Sequence, residues 1–584
     1  MPLPVDSQSS DVQNRPVGNI RGNVPQDQHK EQAASGEDTE IVNGSDEVDF
    51  KYLKGLRLHL VTAAICMTLF LTNLEIPIVT TALISITNDL HHFVQDNWII
   101  SAYMLGYVSM LIIWAKLSDI FGRKPFAALV VLLFTIFSGL CGASQTMTQL
   151  IVFRALQGLG GGGNFAIGTI ILVELVPKEM YPKYTGLVSV VFSFSLLLGP
   201  IFGGALDHSP DWRWIFLLKS IGLLLPFLQV TEKIVFSVPL GFLALVAFFF
   251  CLPASFPYQG QDSRYQRINL FSSKESFGKI DFVGATLLII ATTLLVAALQ
   301  EAGGEFAWNS AFVITLLIIS GVTWILFILW ERRVTLGMTL TEPVFPWRLM
   351  KSRVWVGMTL NALFLGGPWF VTIFQLPQRF QVVDGISALN AGFKLIPFTV
   401  LAPVGSVISA VLAGKVKIPP IYLVLIASCI QVIGFALLST LPTAATASPA
   451  QYGYQVIAGF GIGINISTLI LMTPYSVADP RDNSVALGCV TQFRIMGGAL
   501  GLAIVTAAYK GYVTSRLNAF LTVEEQLSIF ESAKYIQSLS PEIQGRVREV
   551  LAGGYNLQFR ILIALAAAQI PSSLLMWQKK QIVV

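Results

Sequence analysis

From Leu58 onward the chain alternates long apolar blocks with short polar connections. The blocks lie near 58–86, 97–115, 125–144, 149–173 and 184–206, followed by an irregular stretch at 212–256. Beyond it come 280–300, 311–330, 354–376, 388–412, 419–440, 452–473, 484–508 and 556–577. A helix needs about 20 apolar residues to cross the ~30 Å hydrocarbon core of a bilayer. Irregular backbone cannot face lipid, because every unpaired amide there is costly. The blocks are therefore predicted as spanning helices, fourteen if the irregular stretch crosses once. Strands of a membrane β-barrel would alternate at period two over ~10 residues, and these blocks do not. The expected fold class is an all-α membrane protein.

The polar connections set the orientation. Lys116, Arg123 and Lys124 follow the second block, Lys178 and Lys183 the fourth, and Arg264, Arg267, Lys274 and Lys279 the sixth. Arg332, Arg333, Arg348, Lys351 and Arg353 follow the eighth, Lys415 and Lys417 the tenth, and Lys579 and Lys580 the last. The alternate connections carry Asp89, Asp96, Asp207, Asp211, Glu301 and Glu305. Positive residues in short loops stay cytoplasmic, so both termini, including the tail 578–584, are expected in the cytoplasm. The long connection 509–555 is then extracellular. Its Val523–Ile536 part is amphipathic and predicts a small helix on the outer surface. Residues 1–50, rich in Gln, Asp, Glu, Ser, Gly and Asn, hold too little apolar surface to fold and read as a disordered cytoplasmic arm. They also lack the apolar core of a signal peptide.

Composition sharpens this picture. Only 12% of residues are charged and 54% are hydrophobic, whereas about a quarter of a soluble domain is charged. A soluble enzyme is excluded. The net charge of +4 adds little. Cys66, Cys141, Cys251, Cys429 and Cys489 form no CxxC pair and read as small apolar packing residues. No nucleotide-binding module, metal cluster or catalytic triad is visible, so no cofactor is expected.

Charges inside the blocks are the first candidates for function, since a charge at the bilayer centre costs at least ~2.5–3.5 kcal/mol. Glu75, Arg154, Lys394 and Arg494 stand out. Apolar surroundings favour a neutral carboxyl and a nearby arginine favours the charged one, so Glu75 is a candidate to take and release a proton. The other reading is an ion pair that only holds two helices together. Glycines form a second group: Gly158 and Gly160–Gly163 in the fourth block, Gly199-Pro200 with Gly203 and Gly204 in the fifth, and Gly497, Gly498 and Gly501 in the thirteenth. In a bilayer small residues allow close helix contact, and Pro200 adds a bend. No strand precedes these glycines, so a phosphate-binding reading is poor.

Ala115-Lys116-Leu117-Ser118-Asp119-Ile120-Phe121-Gly122-Arg123-Lys124-Pro125 resembles the cytoplasmic signature loop of the major facilitator superfamily. Ile151 to Gly160, built around Arg154, resembles its fourth-helix motif, and Ser195 to Gly204 its antiporter motif. Leu74 to Leu83, Trp98 with Ser101, Tyr103 and Leu105, Asp211 to Phe216, Gln375 to Pro397 and Phe493 to Gly501 are similar to the fourteen-span drug:proton antiporter branch. The resemblance covers about 57–577. It implies two six-helix bundles, 57–256 and 353–577, with two extra helices in 257–352, working by alternating access. It places Glu75 and Arg154 in proton coupling, and Asp119, Gly122, Arg123 and Lys124 in a charge cluster that steadies one gated state. It gives Gly158, Gly199, Pro200, Gly203 and Gly204 conformational roles. Asp119 is also suited to cap a neighbouring helix N-terminus. Asn73, Tyr103, Asn164, Phe374, Gln375, Gln492 and Arg494 are the candidates for the cavity lining.

The chain departs from the pattern in places. Ala115 and Ser195 replace glycines, and Glu75 stands where the branch more often has aspartate. Leu217–Ser237 separates Phe216 from Val238-Pro239-Leu240-Gly241, where the family runs on within a few residues. The hypothesis that Lys219–Ser237 is a translated intron accounts for this, and a transcript retaining the segment would reject it.

The expected function is proton-coupled efflux of small hydrophobic organic compounds such as drugs, toxins or secondary metabolites. The expected partners are substrate, protons and the lipid bilayer, without nucleic acid, for a monomer in the plasma membrane; the vacuolar membrane is the other location. Import of a siderophore, transport of basic amino acids and a non-transporting sensor are the alternatives.

Overall fold

In the computed structural model the described residues are 52–90, 96–207, 212–220, 240–253, 256, 278–302, 306–337, 341–443, 448–477, 482–531 and 533–584. The expected N-terminal arm, most of the suspected intron and the connection holding Arg264, Arg267 and Lys274, expected in the cytoplasm, lie outside them. Apolar runs become helices because a chain in hydrocarbon satisfies its amides only within the segment. The first half supplies α1 (Gly55–Leu90), α2 (Asp96–Phe121), α3 (Arg123–Ala143), α4 (Met147–Glu174) and α5 (Tyr181–Asp207). Two shorter helices follow, α6 (Trp214–Ser220) and α7 (Leu240–Cys251). Next come α8 (Phe282–Glu301), α9 (Ala311–Leu336) and the one-turn α10 (Trp347–Met350). The second half comprises α11 (Arg353–Val382), α12 (Ala388–Lys394), α13 (Ile396–Gly414), α14 (Pro420–Leu438), α15 (Ala450–Ser476), α16 (Asn483–Leu517), α17 (Val523–Glu531) and α18 (Pro541–Leu575).

Among the described residues twelve helices are long and apolar enough to cross a membrane. α5 adds 27 residues, about 40 Å at 1.5 Å per residue. The sixth expected crossing falls on α6, α7 and the undescribed residues between them. The set is compatible with fourteen spans. Two boundaries differ from the sequence expectation. The block at 388–412 breaks at Leu395, because Pro397 opens α13 and its ring nitrogen has no proton to continue a ladder from α12. Much of the expected loop 509–555 is helical: α16 runs on through Leu517 and α18 starts at Pro541. Val513, Leu517, Leu521, Ile529, Ile536, Val547 and Leu551 close a small apolar core there with α17.

Helix pairing repeats between the halves. α2 packs on α4, α3 on α4, α1 on α5 and α3 on α6; in the same order α13 packs on α15, α14 on α15, α11 on α16 and α14 on α18. The halves meet along α2–α16 and α5–α13. This is the parallel-repeat architecture of two six-helix bundles around a central interface.

The two extra helices, α8 and α9, pair with each other, and α8 leans on α2 and α16. Asp281 caps α8 by accepting from Gly284 N at 2.8 Å and also accepts from Trp330 Nε1 of α9 at 2.8 Å. Glu331 accepts from Phe345 N at 3.2 Å. Asp281 Oδ2 and Glu331 Oε1 converge on Gly284, with no donor reaching either oxygen.

Candidate functional site

Glu75 of α1 and Arg154 of α4 form an ion pair with both side chains fully buried. Arg154 Nε donates to Ile99 O at 2.9 Å and Nη1 to Gln157 Oε1 at 2.9 Å. Its guanidinium lies 4.5 Å from the ring centre of Tyr103 and 5.7 Å from that of Phe216. The arginine is thus clamped by α2, α4 and aromatic faces, and the carboxylate is the one charged partner it has among the described residues.

Gly158, one turn beyond Arg154, lets α4 touch α2: a methyl group there would meet the Tyr103 carbonyl carbon at 3.0 Å. From Tyr103 an aromatic chain leads inward. Tyr103 and Tyr107 have ring centres 5.9 Å apart, Tyr107 and Phe165 6.4 Å, and Phe165 and Phe192 6.2 Å. Phe192 reaches Trp369 of α11 at 5.6 Å, across the bundle interface.

This chain borders two small cavities on that interface. One is lined by Thr72, Asn73, Ile76, Met104, Tyr107, Phe165, Phe192, Leu196, Phe370, Ile373, Phe374, Arg494 and Ile495. The other adds Val188, Ser189, Trp369, Ser406 and Ile470 and shares Arg494. A larger space, about 440 Å³, lies beside them on the side of α17, walled by Ser101, Phe374, Gln375, Gln378, Thr506 and Phe530 among others. Asn73, Phe374, Gln375 and Arg494 therefore stand on cavity walls. Tyr103, Asn164 and Gln492 line none of these three. Tyr103 is fully buried, its hydroxyl donating to Thr72 O at 3.3 Å. Asn164 donates to Thr72 Oγ1 at 3.4 Å, and Gln492 Oε1 accepts from Ile112 N at 3.3 Å across the α2–α16 contact.

The signature loop sits at the opposite end of that contact. Gly122 turns the chain between α2 and α3 at φ 101°, a left-handed conformation that glycine adopts without penalty. Arg123, 4% exposed, then pairs with Asp119 and makes a fork to Glu174 at 2.7 and 2.9 Å. It also donates to Ser118 Oγ and to Ser484 Oγ, each at 2.6 Å. Ser484 opens α16, so one guanidinium joins α2, α3, α4 and the second bundle. Lys116 pairs with Glu342 at 2.7 Å, which ties α2 to the segment after α9. Asp119 is taken up by Arg123 in this arrangement. Lys124 stands apart, 5.4 Å over the Phe249 ring.

At the fifth-helix motif, a methyl group on Gly199 would meet Pro77 Cγ at 2.5 Å, so α5 packs directly against the proline in α1. Pro200, Gly203 and Gly204 continue α5. Lys394 closes α12 and lies 3.8 Å from Asp384, away from the cavities. Burial pushes the Asp384 carboxyl above the usual aspartate range against the pull of Arg379 and Lys394.

Sequence reasoning missed Tyr107, Phe165, Phe192 and Phe370. An aromatic residue in an apolar run carries no mark of whether it faces lipid, a neighbour or a cavity.

The Major Facilitator Superfamily model matches residues 63–231. Over 529 residues the chain is 39% identical to the MFS-type transporter FPY5 of Fusarium mangiferae, covering 91% of this chain and 85% of the relative. It is 31% identical to Multidrug resistance protein 3 of Bacillus subtilis (strain 168), with 78% of this chain and 81% of the relative covered. Among solved structures, an inward-facing, unoccupied bacterial homologue of the human lysosomal transporter Spinster superposes with a TM-score of 0.53. That match covers 90% of this chain and 100% of the other at 15% identity, a likeness of fold. Repeated bundles, signature loop and similarity along nearly the whole chain lead to one conclusion: the protein belongs to the major facilitator superfamily.

Proposed function

We propose that the protein exports small, mostly apolar organic molecules across the plasma membrane in exchange for protons, acting as a monomer with both termini cytoplasmic. The observation that carries this reading is the buried Glu75–Arg154 pair set beside an aromatic interface cavity. Relatives named for multidrug resistance and for thioclapurine efflux support the direction.

A proton arriving at Glu75 removes the charge that Arg154 balances, while Arg154 keeps its bonds to Ile99 and Gln157. The tie between α1 and α4 weakens. Thr72, Asn73 and Ile76, within a turn of Glu75 on α1, form part of the cavity wall, so relaxation at the acid is felt where substrate would bind. At the other end the Arg123–Ser484 contact holds the bundles together, and its release lets the interface part on the cytoplasmic side. Substrate bound from the cytoplasm is then released outward, and the returning proton resets the pair.

The test is efflux of a panel of labelled hydrophobic drugs and toxins, from intact cells and from proteoliposomes, with and without an imposed proton gradient. Gradient-driven efflux is expected from the wild type and is abolished in Glu75→Gln, which cannot cycle a proton. Equal gradient-driven efflux in the variant moves the proton site elsewhere. No movement of any compound overturns the export reading, and sequestration inside intact cells moves the protein to an internal membrane.

A further inference from the structure

Four arginines are buried among the described residues: Arg123, Arg154, Arg379 and Arg494. The first three have acidic neighbours, namely Asp119 and Glu174, Glu75, and Asp384. Arg494 differs. It is 5% exposed, and no carboxylate stands on the walls of the two cavities it lines. Its contact of note is with the face of Phe165, 6.0 Å from the ring centre.

An arginine keeps its charge in proteins, and an unpaired buried charge is costly. The ring face offsets part of that cost. The guanidinium fork, however, offers five N–H donors in a geometry that matches a carboxylate, and around it the interface presents aromatic faces from both bundles. In this conformation the two cavities are contracted, about 30 and 20 Å³, so the site takes a ligand when the bundles part.

Resting on the export reading above, we propose that the exported molecule is an organic anion: a flat aromatic or conjugated body held among Phe165, Phe192 and Phe370, with one carboxylate or similarly acidic group paired to Arg494. The proton pair and the anion site are joined by the chain of rings from Tyr103 through Tyr107 to Phe165. The positive centre that attracts the ligand is therefore separate from the one that handles the proton.

Three labelled probes on one scaffold test this: naphthalene-2-carboxylate, naphthalene-2-carboxamide and 2-naphthyltrimethylammonium. Their binding to the full-length protein in lipid nanodiscs is measured at pH 7, where the acid is ionised. The wild type is expected to bind the carboxylate about ten- to a hundredfold tighter than the amide, the range of a hydrogen bond to a charged group. In Arg494→Gln the ratio of carboxylate to amide affinity falls to about one. Arg494→Lys, which keeps the charge and loses the fork, retains a smaller ratio and serves where the glutamine variant does not fold. Equal or tighter binding of the amide or the cation by the wild type overturns the proposal, as does an unchanged ratio in both variants. Failure here, with gradient-driven efflux of neutral compounds intact, removes the anion and leaves the export reading. A carboxylate preference without any gradient-driven efflux does the reverse.

Discussion

At Gly158 the backbone of α4 comes so close to α2 that even one carbon atom has no room. Gly158→Ala is expected to lower stability by about 1–3 kcal/mol, the usual cost of overpacking. Gly453 of α15 is the internal control, since a methyl group there meets nothing within 4 Å. Gly453→Ala should be neutral or stabilising by up to about 1 kcal/mol, because alanine is the better helix former. Thermal unfolding of the purified variants decides, and equal losses at both positions would reject the close-approach account. Residues of this kind were legible in the sequence: a glycine run in a spanning helix announces close packing, and Glu75, Arg154 and Arg494 announce themselves as charges where charge is costly. The polar candidates divide. Tyr103, Asn164 and Gln492 look like cavity residues in a linear chain; in the fold the Tyr103 hydroxyl, the Asn164 amide nitrogen and the Gln492 carbonyl oxygen each bond to a neighbouring helix, while Asn164 Oδ1 is buried without a partner. Nothing in the order of residues separates a polar group that waits for a ligand from one already satisfied.

Helices were legible as blocks, and their ends were read to the hydrocarbon edge. α16 and α18 run past it because a second apolar core outside the bundles, shared with α17, holds them together. α17 itself opens with a reciprocal cap. Thr522 N–H donates to Glu525 Oε2 at 2.8 Å and its hydroxyl does so at 2.9 Å, while Thr522 Oγ1 accepts from Glu525 N at 3.3 Å. The backbone hydrogen bond, aided by the hydroxyl, holds the Glu525 carboxyl below its usual range. The folded state therefore favours the charged form. The contribution to α17 is complete above the usual glutamate value of about 4.3 and is lost as pH falls through the depressed value. Hydrogen-exchange protection of residues 523–531 should fall over that acid window in the wild type. In Glu525→Gln it should start lower and stay flat. The same acid-induced loss in both would place the titration elsewhere.

Across the described residues the repeated pairing of helices makes two bundles, and Arg123 of the signature loop ties one to the other at Ser484. The architecture was legible because signature loop, fourth-helix arginine and fifth-helix glycines occur in order along the chain. The carboxyl pair of Asp281 and Glu331 was not, since one acid sits at a helix start like any cap and the other near a helix end. The positive charge of Arg494 is unpaired, whereas that of Arg154 is already balanced by Glu75. Export of a monoanion against the inward return of one proton transfers two charges in the same electrical sense. Transport is then electrogenic, driven by about 4.6 kcal/mol for every 100 mV of inside-negative potential, twice the ~2.3 kcal/mol of a single charge. A potassium diffusion potential imposed on proteoliposomes at equal pH on both sides should by itself drive efflux of the carboxylate probe. Half that voltage dependence would mean that the cargo leaves with its charge already neutralised, since one proton still enters, and indifference to voltage would reject the exchange of an anion for a proton. On the electrogenic reading, the membrane potential of the cell, as much as its pH gradient, sets how far such a compound can be cleared.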